Sequence, residues 1–284
     1  MFITVNSAKL YFDVEGAGLV PDGPRMREKP TLLLLHGGPG FDHSMYKPAF
    51  SHLADTAQIV YLDHRGNGRS EGAPATWSLA QWGDDVAGFC DALGIAKPIV
   101  YGGSFGGFVA QSYATRHPGH AGKLILASTA AKIEFPAIFD AFERIGGKAA
   151  RDIAQVYWLE PNLERRMRYL ETCFPLYTVR PRSDRDAITR AILKHEVGLH
   201  FNGPQQEQGR MDFRADLARV QCPVLILAGD RDPIAPMAFS ETIAASLPQH
   251  LVRFERFANC GHGVHLDAPE RAFRVIREFI LAEA

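Results

Sequence analysis

The stretch Gly102-Gly103-Ser104-Phe105-Gly106-Gly107 decides how this chain is read. It follows the apolar run Ile99-Val100-Tyr101 and precedes Phe108-Val109-Ala110-Gln111-Ser112-Tyr113-Ala114, which reads as a helix. Gly-x-Ser-x-Gly between a strand and a helix describes a nucleophile elbow, a turn so sharp that the serine backbone is strained. Glycines at 102 and 106 let the neighbouring strand and helix approach. The turn lifts the Ser104 hydroxyl out of the sheet and places the Phe105 N–H at a helix N-terminus, where negative charge is favoured. A glycine-rich loop that merely contains serine would share the string. The strand before it and the helix after it argue against that.

A serine hydroxyl needs a base to take its proton, and the base works best when a carboxylate fixes its tautomer. At such elbows the acid and then the histidine follow later in the chain. After the apolar run Pro223-Val224-Leu225-Ile226-Leu227 comes Gly229-Asp230-Arg231-Asp232-Pro233-Ile234-Ala235-Pro236. Asp232, three residues past the glycine and before a Pro-rich turn, is the expected acid. Asp230 is the fallback, with turn hydrogen bonding or pairing to Arg231 as its simpler role. After Leu251-Val252-Arg253-Phe254 comes Asn259-Cys260-Gly261-His262-Gly263-Val264-His265. His262, between glycines, is the expected base, and His265 is read as packing. A tetrahedral intermediate needs two N–H donors on its oxyanion. Phe105 is expected to supply one. Gly38, in His36-Gly37-Gly38-Pro39-Gly40 after the run Thr31-Leu32-Leu33-Leu34-Leu35, is expected to supply the other, since Pro39 has no N–H. The other histidines show no ligand-pair spacing such as His-x-x-x-His, so no metal site is expected.

Apolar strand-like runs alternate with helical stretches over much of the chain. Residues 78–93 read as a helix that Ser78 caps and Gly94 ends. Uniformly apolar strands separated by helices point to a doubly wound, mostly parallel α/β sheet. Phe2-Ile3-Thr4-Val5 and Lys9-Leu10-Tyr11-Phe12-Asp13-Val14 read as a leading hairpin, and residues 16–30, with several Gly and Pro, as a loop. The alternation stops between about 129 and 217. That part carries helix-like pieces at 137–145, 149–159, 163–174 and 184–199 and many aromatics. It reads as a helical insertion over the C-terminal strand ends, where open α/β sheets bind ligands. The division expected is a core of residues 1–128 and 216–284 and a helical cap of 129–215.

Bulk properties bound the partners. The chain has 284 residues, 46% of them hydrophobic, with 31 basic against 32 acidic residues and a net charge of −1. That charge gives no electrostatic footprint for nucleic acid. No apolar run approaches the roughly 18–20 residues of a membrane helix. The start, Met1-Phe2-Ile3-Thr4-Val5-Asn6, lacks a basic region with a small-residue cleavage site. A cytoplasmic protein without a membrane partner is expected, and four scattered cysteines without a CxxC pair read as free thiols.

Taken together, His36-Gly37-Gly38-Pro39-Gly40, Asp63-His64-Arg65-Gly66-Asn67-Gly68-Arg69-Ser70, Gly102 to Gly107, Gly229 to Asp232 and Gly261-His262 resemble the α/β-hydrolase superfamily, and more narrowly the proline iminopeptidase group. The resemblance implies an eight-stranded, mostly parallel sheet flanked by helices with a helical cap, no cofactor, and a structural role for the Asp63–Ser70 loop. It implies a small ester, amide or short peptide as substrate, cleaved through an acyl-enzyme. In one branch of the group an Asn-Gly-Pro-x-Glu cap segment and a glutamate after the catalytic aspartate hold the substrate ammonium. Here Asn202-Gly203-Pro204 leads to Gln206, and Pro233 follows Asp232. A neutral Gln206 loses most of the attraction for an ammonium. Glu207, one residue on, is the nearest substitute, with Glu160 and Glu196 further candidates. Substrate contacts are therefore expected from Gln206, Glu207 and Trp158. Ester or lactone hydrolysis without aminopeptidase activity is the alternative within the same chemistry. An acyltransferase or C–C hydrolase would use the same three residues, and a ligand-binding protein that keeps the fold without turnover is the alternative class.

Overall fold

The computed structural model describes residues 1–181, 184 and 186–283. Ten strands are present among them: β1 (Phe2–Val5), β2 (Ala8–Glu15), β3 (Leu19–Asp22), β4 (Arg25–Glu28), β5 (Thr31–Leu35), β6 (Gln58–Leu62), β7 (Ile99–Gly103), β8 (Lys123–Ala127), β9 (Val224–Gly229) and β10 (Val252–Phe257). Eight form one sheet in the order β1-β2-β6-β5-β7-β8-β9-β10. β1 and β2 are antiparallel additions at one edge, and the strands from β6 to β10 are parallel. The apolar run of β5 explains its central place. Leu33 and Leu35 join a core with Trp82, Val100 and Phe105 on one face. Leu32 and Leu34 join another with Phe50, Tyr101 and Ile276 on the opposite face.

The helices are α1 (Leu79–Leu93), α2 (Phe105–Arg116), α3 (Phe135–Leu159), α4 (Leu163–Thr172), α5 (Ala187–Arg190), α6 (His195–Phe201), α7 (Glu207–Arg210), α8 (Met237–Ser246), α9 (Val264–Asp267) and α10 (Pro269–Leu281). As expected, Ser78 Oγ caps α1 by accepting from the Gln81 N–H, and Gly94 ends it in the left-handed region. No helix of the described residues is long and apolar enough to cross a membrane.

Two expectations need correction. Residues 16–30 are not a plain loop, because β3 and β4 pair there as an antiparallel hairpin. Its residues are mostly exposed, so no buried alternation marks it. The helix expected over 184–199 falls partly on Arg185, which with Arg182, Ser183 and Ala284 lies outside the described residues. Where described, the segment is two short helices, α5 and α6, broken after Arg190. The Lys194 N–H donates to Gly40 O at 2.7 Å, so the intervening backbone docks on the loop after β5 instead of continuing a helix. By contrast, α3 contains the two pieces expected, joined through a non-helical Gly147.

Beneath the sheet edge, Arg65 Nε and Nη2 meet both oxygens of Asp85 at 2.7 Å. Both side chains are almost wholly buried, and Asn6 and Gln81 add donors to Asp85. Removing one partner of such a pair strands a charge. Arg65→Met is expected to destabilise the fold by about 3–5 kcal/mol. A urea titration measures this directly, and a loss under about 1 kcal/mol would place the pair among those of little net worth.

Candidate active site

The strand order reverses direction between β5 and β7, and the C-terminal ends of these two strands open the crevice where such sheets take ligands. Ser104 sits there, between β7 and α2, with φ 54° and ψ −119°. A non-glycine residue held in that region costs about 1–3 kcal/mol. Its own backbone bonds hold it in place. Ser104 N–H donates to Ala127 O at 2.9 Å, and its carbonyl accepts from Gly107 N–H at 2.9 Å and Thr129 Oγ1 at 2.8 Å. A side chain at Gly106 would collide with the Leu35 carbonyl oxygen, which is why the first turn of α2 tolerates only glycine there.

Phe105 opens α2, so its N–H belongs to the turn without intrahelical partners. The loop after β5 approaches from the other side. A Cβ at Gly37 would lie 3.3 Å from Ser104 Cβ. Gly38 has φ +57°, and its carbonyl accepts from Phe41 N–H at 2.9 Å. The Asp63–Ser70 loop braces these glycines. Asn67 Oδ1 accepts from Gly40 N–H at 2.6 Å. The His64 N–H donates to His36 Nε2 at 3.2 Å, which leaves the His36 proton on Nδ1, beside Gly37 O at 3.0 Å. Burial pushes both imidazoles below the ordinary histidine range, His64 strongly.

Asp42, His43 and Asp63 lie close enough together to hold a metal ion. Their atoms are already engaged. Asp63 takes the His43 N–H and Nδ1 at 3.0 and 2.7 Å and the Arg69 N–H at 2.9 Å, and Asp42 takes Ser44 and Arg69. The pattern is that of a structural hydrogen-bond network.

Asp232 and His262 meet across the ends of β9 and β10. The imidazole Nδ1 lies 2.8 Å from Oδ2 and 3.0 Å from Oδ1 of Asp232. Asp232 is buried, and Oδ1 accepts from the N–H groups of Ile234 and Ala235 at 2.8 Å each. An Asx turn of this kind suits a residue before proline, where a locked φ aims the next amides back at the carboxylate. Asp230 is exposed, and among the described residues its carboxylate reaches Cys260 N–H alone, at 3.4 Å. The histidine loop is fixed by two bonds to residues that no motif of the sequence singles out for this role. His262 N–H donates to Tyr177 O at 2.7 Å, and Gly261 N–H donates to the buried Asp267 carboxylate at 2.7 Å. That carboxylate also accepts from the Val179 and Arg180 N–H groups, tying the loop to the segment after Tyr177.

A cavity of about 160 Å³ joins these parts. Gly38, Ser104, Phe105, His262 and Trp158 all line it, as does His265. Asp232 stands behind His262. Gln206 and Glu207, expected as substrate contacts, are not among the described residues that line it. Both Glu207 oxygens accept from the Leu79 N–H at 2.9 and 3.0 Å, so Glu207 completes the N-terminal cap of α1 from across the fold. Burial pushes its carboxyl up in spite of that bond. Of the two further candidates, Glu160 pairs with Arg165 on the surface and Glu196 is exposed, and neither is among the residues lining the cavity. Among the described residues no Asp or Glu lines the cavity, and the wall is largely aromatic and aliphatic, with Phe41, Phe108, Ile133, Tyr169 and Phe201 among its members. Arg166 is its one side chain of fixed charge among the described residues. Nothing in the string marks Arg166 for this place, because Arg165 and Arg166 are adjacent on α4.

Residues 30–269 match the model of the family described as the α/β-hydrolase fold. The chain belongs to that family. This hydrolase is 28% identical over 98% of both chains to proline iminopeptidase PfmaB of Pestalotiopsis fici. It is 28% identical, over 97% of each chain, to a putative carbamate hydrolase RutD of a Caulobacter species. Among solved structures, a thermophilic esterase from Thermogutta terrifontis superimposes with a TM-score of 0.69 at 26% identity, covering 99% of this chain and 97% of the other. The hydrolase thus resembles peptidase, carbamate hydrolase and esterase relatives to similar degrees.

Proposed function

We propose that the protein is a serine hydrolase of small esters, acting through an acyl-enzyme. Ser104 Oγ attacks the acyl carbon while His262 Nε2 takes its proton. The Gly38 and Phe105 N–H groups hold the oxyanion. Collapse expels the alcohol, which takes the proton back from His262, and a water then repeats the sequence to release the acid. Asp232 holds the imidazole with its proton on Nδ1, leaving Nε2 to accept. In this reading, residues 129–215 form a cap that closes the cavity and sets what fits.

The observation that favours an ester over a peptide N-terminus is the cavity wall. A substrate ammonium would find no carboxylate there among the described residues, and would share the cavity with the Arg166 cation. Burying an unpaired charge beside a like charge is strongly unfavourable. The expected result is turnover of p-nitrophenyl butyrate, with prolyl-p-nitroanilide cleaved no faster than its N-acetyl form. The acetyl comparison removes leaving-group reactivity from the test. A clear preference for the free amine would overturn the ester reading in favour of an iminopeptidase.

A further inference from the structure

We propose that Arg166 anchors an anionic group of the substrate, so that the preferred ester carries a carboxylate. Arg166 is 4% exposed. Its contacts are all neutral: Nε to His195 Nδ1 at 3.2 Å, Nη1 to Tyr157 Oη at 2.8 Å and Nη2 to Pro39 O at 3.2 Å. No carboxylate pairs with it among the described residues. A guanidinium has five N–H donors, so these bonds leave one on each Nη. A buried cation without a counter-ion is among the costliest groups a fold can hold, and buried charges are ordinarily paired.

Other features of the cavity point the same way. The Trp158 indole N–H, also in its wall, has no partner among the described residues. Tyr157 Oη already accepts from Arg166 and, at 2.7 Å, from Asn202 Nδ2. The surplus here is of donors, which suits a ligand rich in acceptors. Room is kept for the guanidinium by Gly198, where a Cβ would lie 2.5 Å from Nη1 and 2.8 Å from Cζ. The bond to Pro39 O sets Arg166 against the loop that carries Gly38, so an anion held here belongs to the molecule whose acyl group reaches Ser104. A planar guanidinium with free N–H groups on both Nη atoms suits a carboxylate in particular.

The proposal rests on the ester hydrolase reading for its kinetic test, and a binding test stands apart from it. Two matched pairs place the carboxylate on either side of the scissile bond: mono-p-nitrophenyl glutarate against p-nitrophenyl valerate, and 4-carboxyphenyl butyrate against 4-carbamoylphenyl butyrate. In at least one pair, Arg166→Gln is expected to lower kcat/KM for the carboxylate ester on the order of 10- to 100-fold more than for its neutral partner. A clamp that only holds the Pro39 loop would lower both members of each pair by one factor, and that result would overturn the proposal. For binding, glutarate is expected to raise the melting temperature of Ser104→Ala, and not of Ser104→Ala/Arg166→Gln, at matched ionic strength. Equal shifts in the two variants, or none in either, would overturn the anion site whether or not the protein is a catalyst. Failure of the ester hydrolase reading would instead appear as absent turnover of all four esters by the wild type.

Discussion

Ser104→Ala is expected to lower kcat for short acyl esters on the order of 10⁶-fold while leaving the protein folded. The size follows from the role, since without Oγ there is no acyl-enzyme, and His262 and the oxyanion donors cannot work as a unit. The folding half follows from the backbone. The bonds that hold the strained turn run from Ser104 N–H to Ala127 and into its carbonyl from Gly107 and Thr129, and alanine keeps all of them. Steady-state kinetics beside a thermal melt separates the two halves. Activity within about tenfold of wild type would remove Ser104 from the chemistry, because loss of the nucleophile of such a triad costs several orders of magnitude in kcat.

Asp232→Asn carries the second largest expected effect, a fall in kcat of about 10⁴-fold. Oδ1 is held by the Ile234 and Ala235 N–H groups, so an asparagine that keeps those bonds turns its amide NH₂ toward His262. Two donors cannot face each other, and the imidazole must place its proton on Nε2. It then has no lone pair for the Ser104 proton. Asp230→Asn is the matched control, expected to change kcat by less than about threefold, because the exposed Asp230 carboxylate accepts a long bond from Cys260 N–H and stands apart from His262. Equal losses in the two variants would reverse the assignment of the acid.

How legible these features were in the sequence depended on how local their physics is. The elbow was legible because a serine at φ 54° requires glycine neighbours within two residues, all in one string. β5 was legible because a strand covered on both faces is apolar at every position from Leu32 to Leu35. The β3–β4 hairpin was not, since its exposed residues bury nothing that would force an alternating pattern.

Long-range contacts hid more of the site. Glu207 looked like a ligand residue one place from the expected position, yet its carboxylate caps a helix 128 residues away in the chain. Arg165 and Arg166 are equivalent in the string, but successive helix positions point about 100° apart. One therefore pairs with Glu160 at the surface while the other enters the cavity. Which of the two turns inward depends on where α4 packs, and Tyr157, Pro39 and Gly198, drawn from three separate segments, decide it. Asp267 is a similar case, an acid in a short helix that gains its role only when residues 179 and 180 come over it.

Treatment of the intact protein with a fluorophosphonate, followed by peptide mapping by mass spectrometry, tests the nucleophile most directly. A single adduct on Ser104, abolished in Ser104→Ala and strongly slowed in Asp232→Asn, is the expected outcome. Folded wild-type protein that stays unlabelled, or that carries the adduct on another residue, would contradict the assignment of Ser104 and with it the acyl-enzyme mechanism.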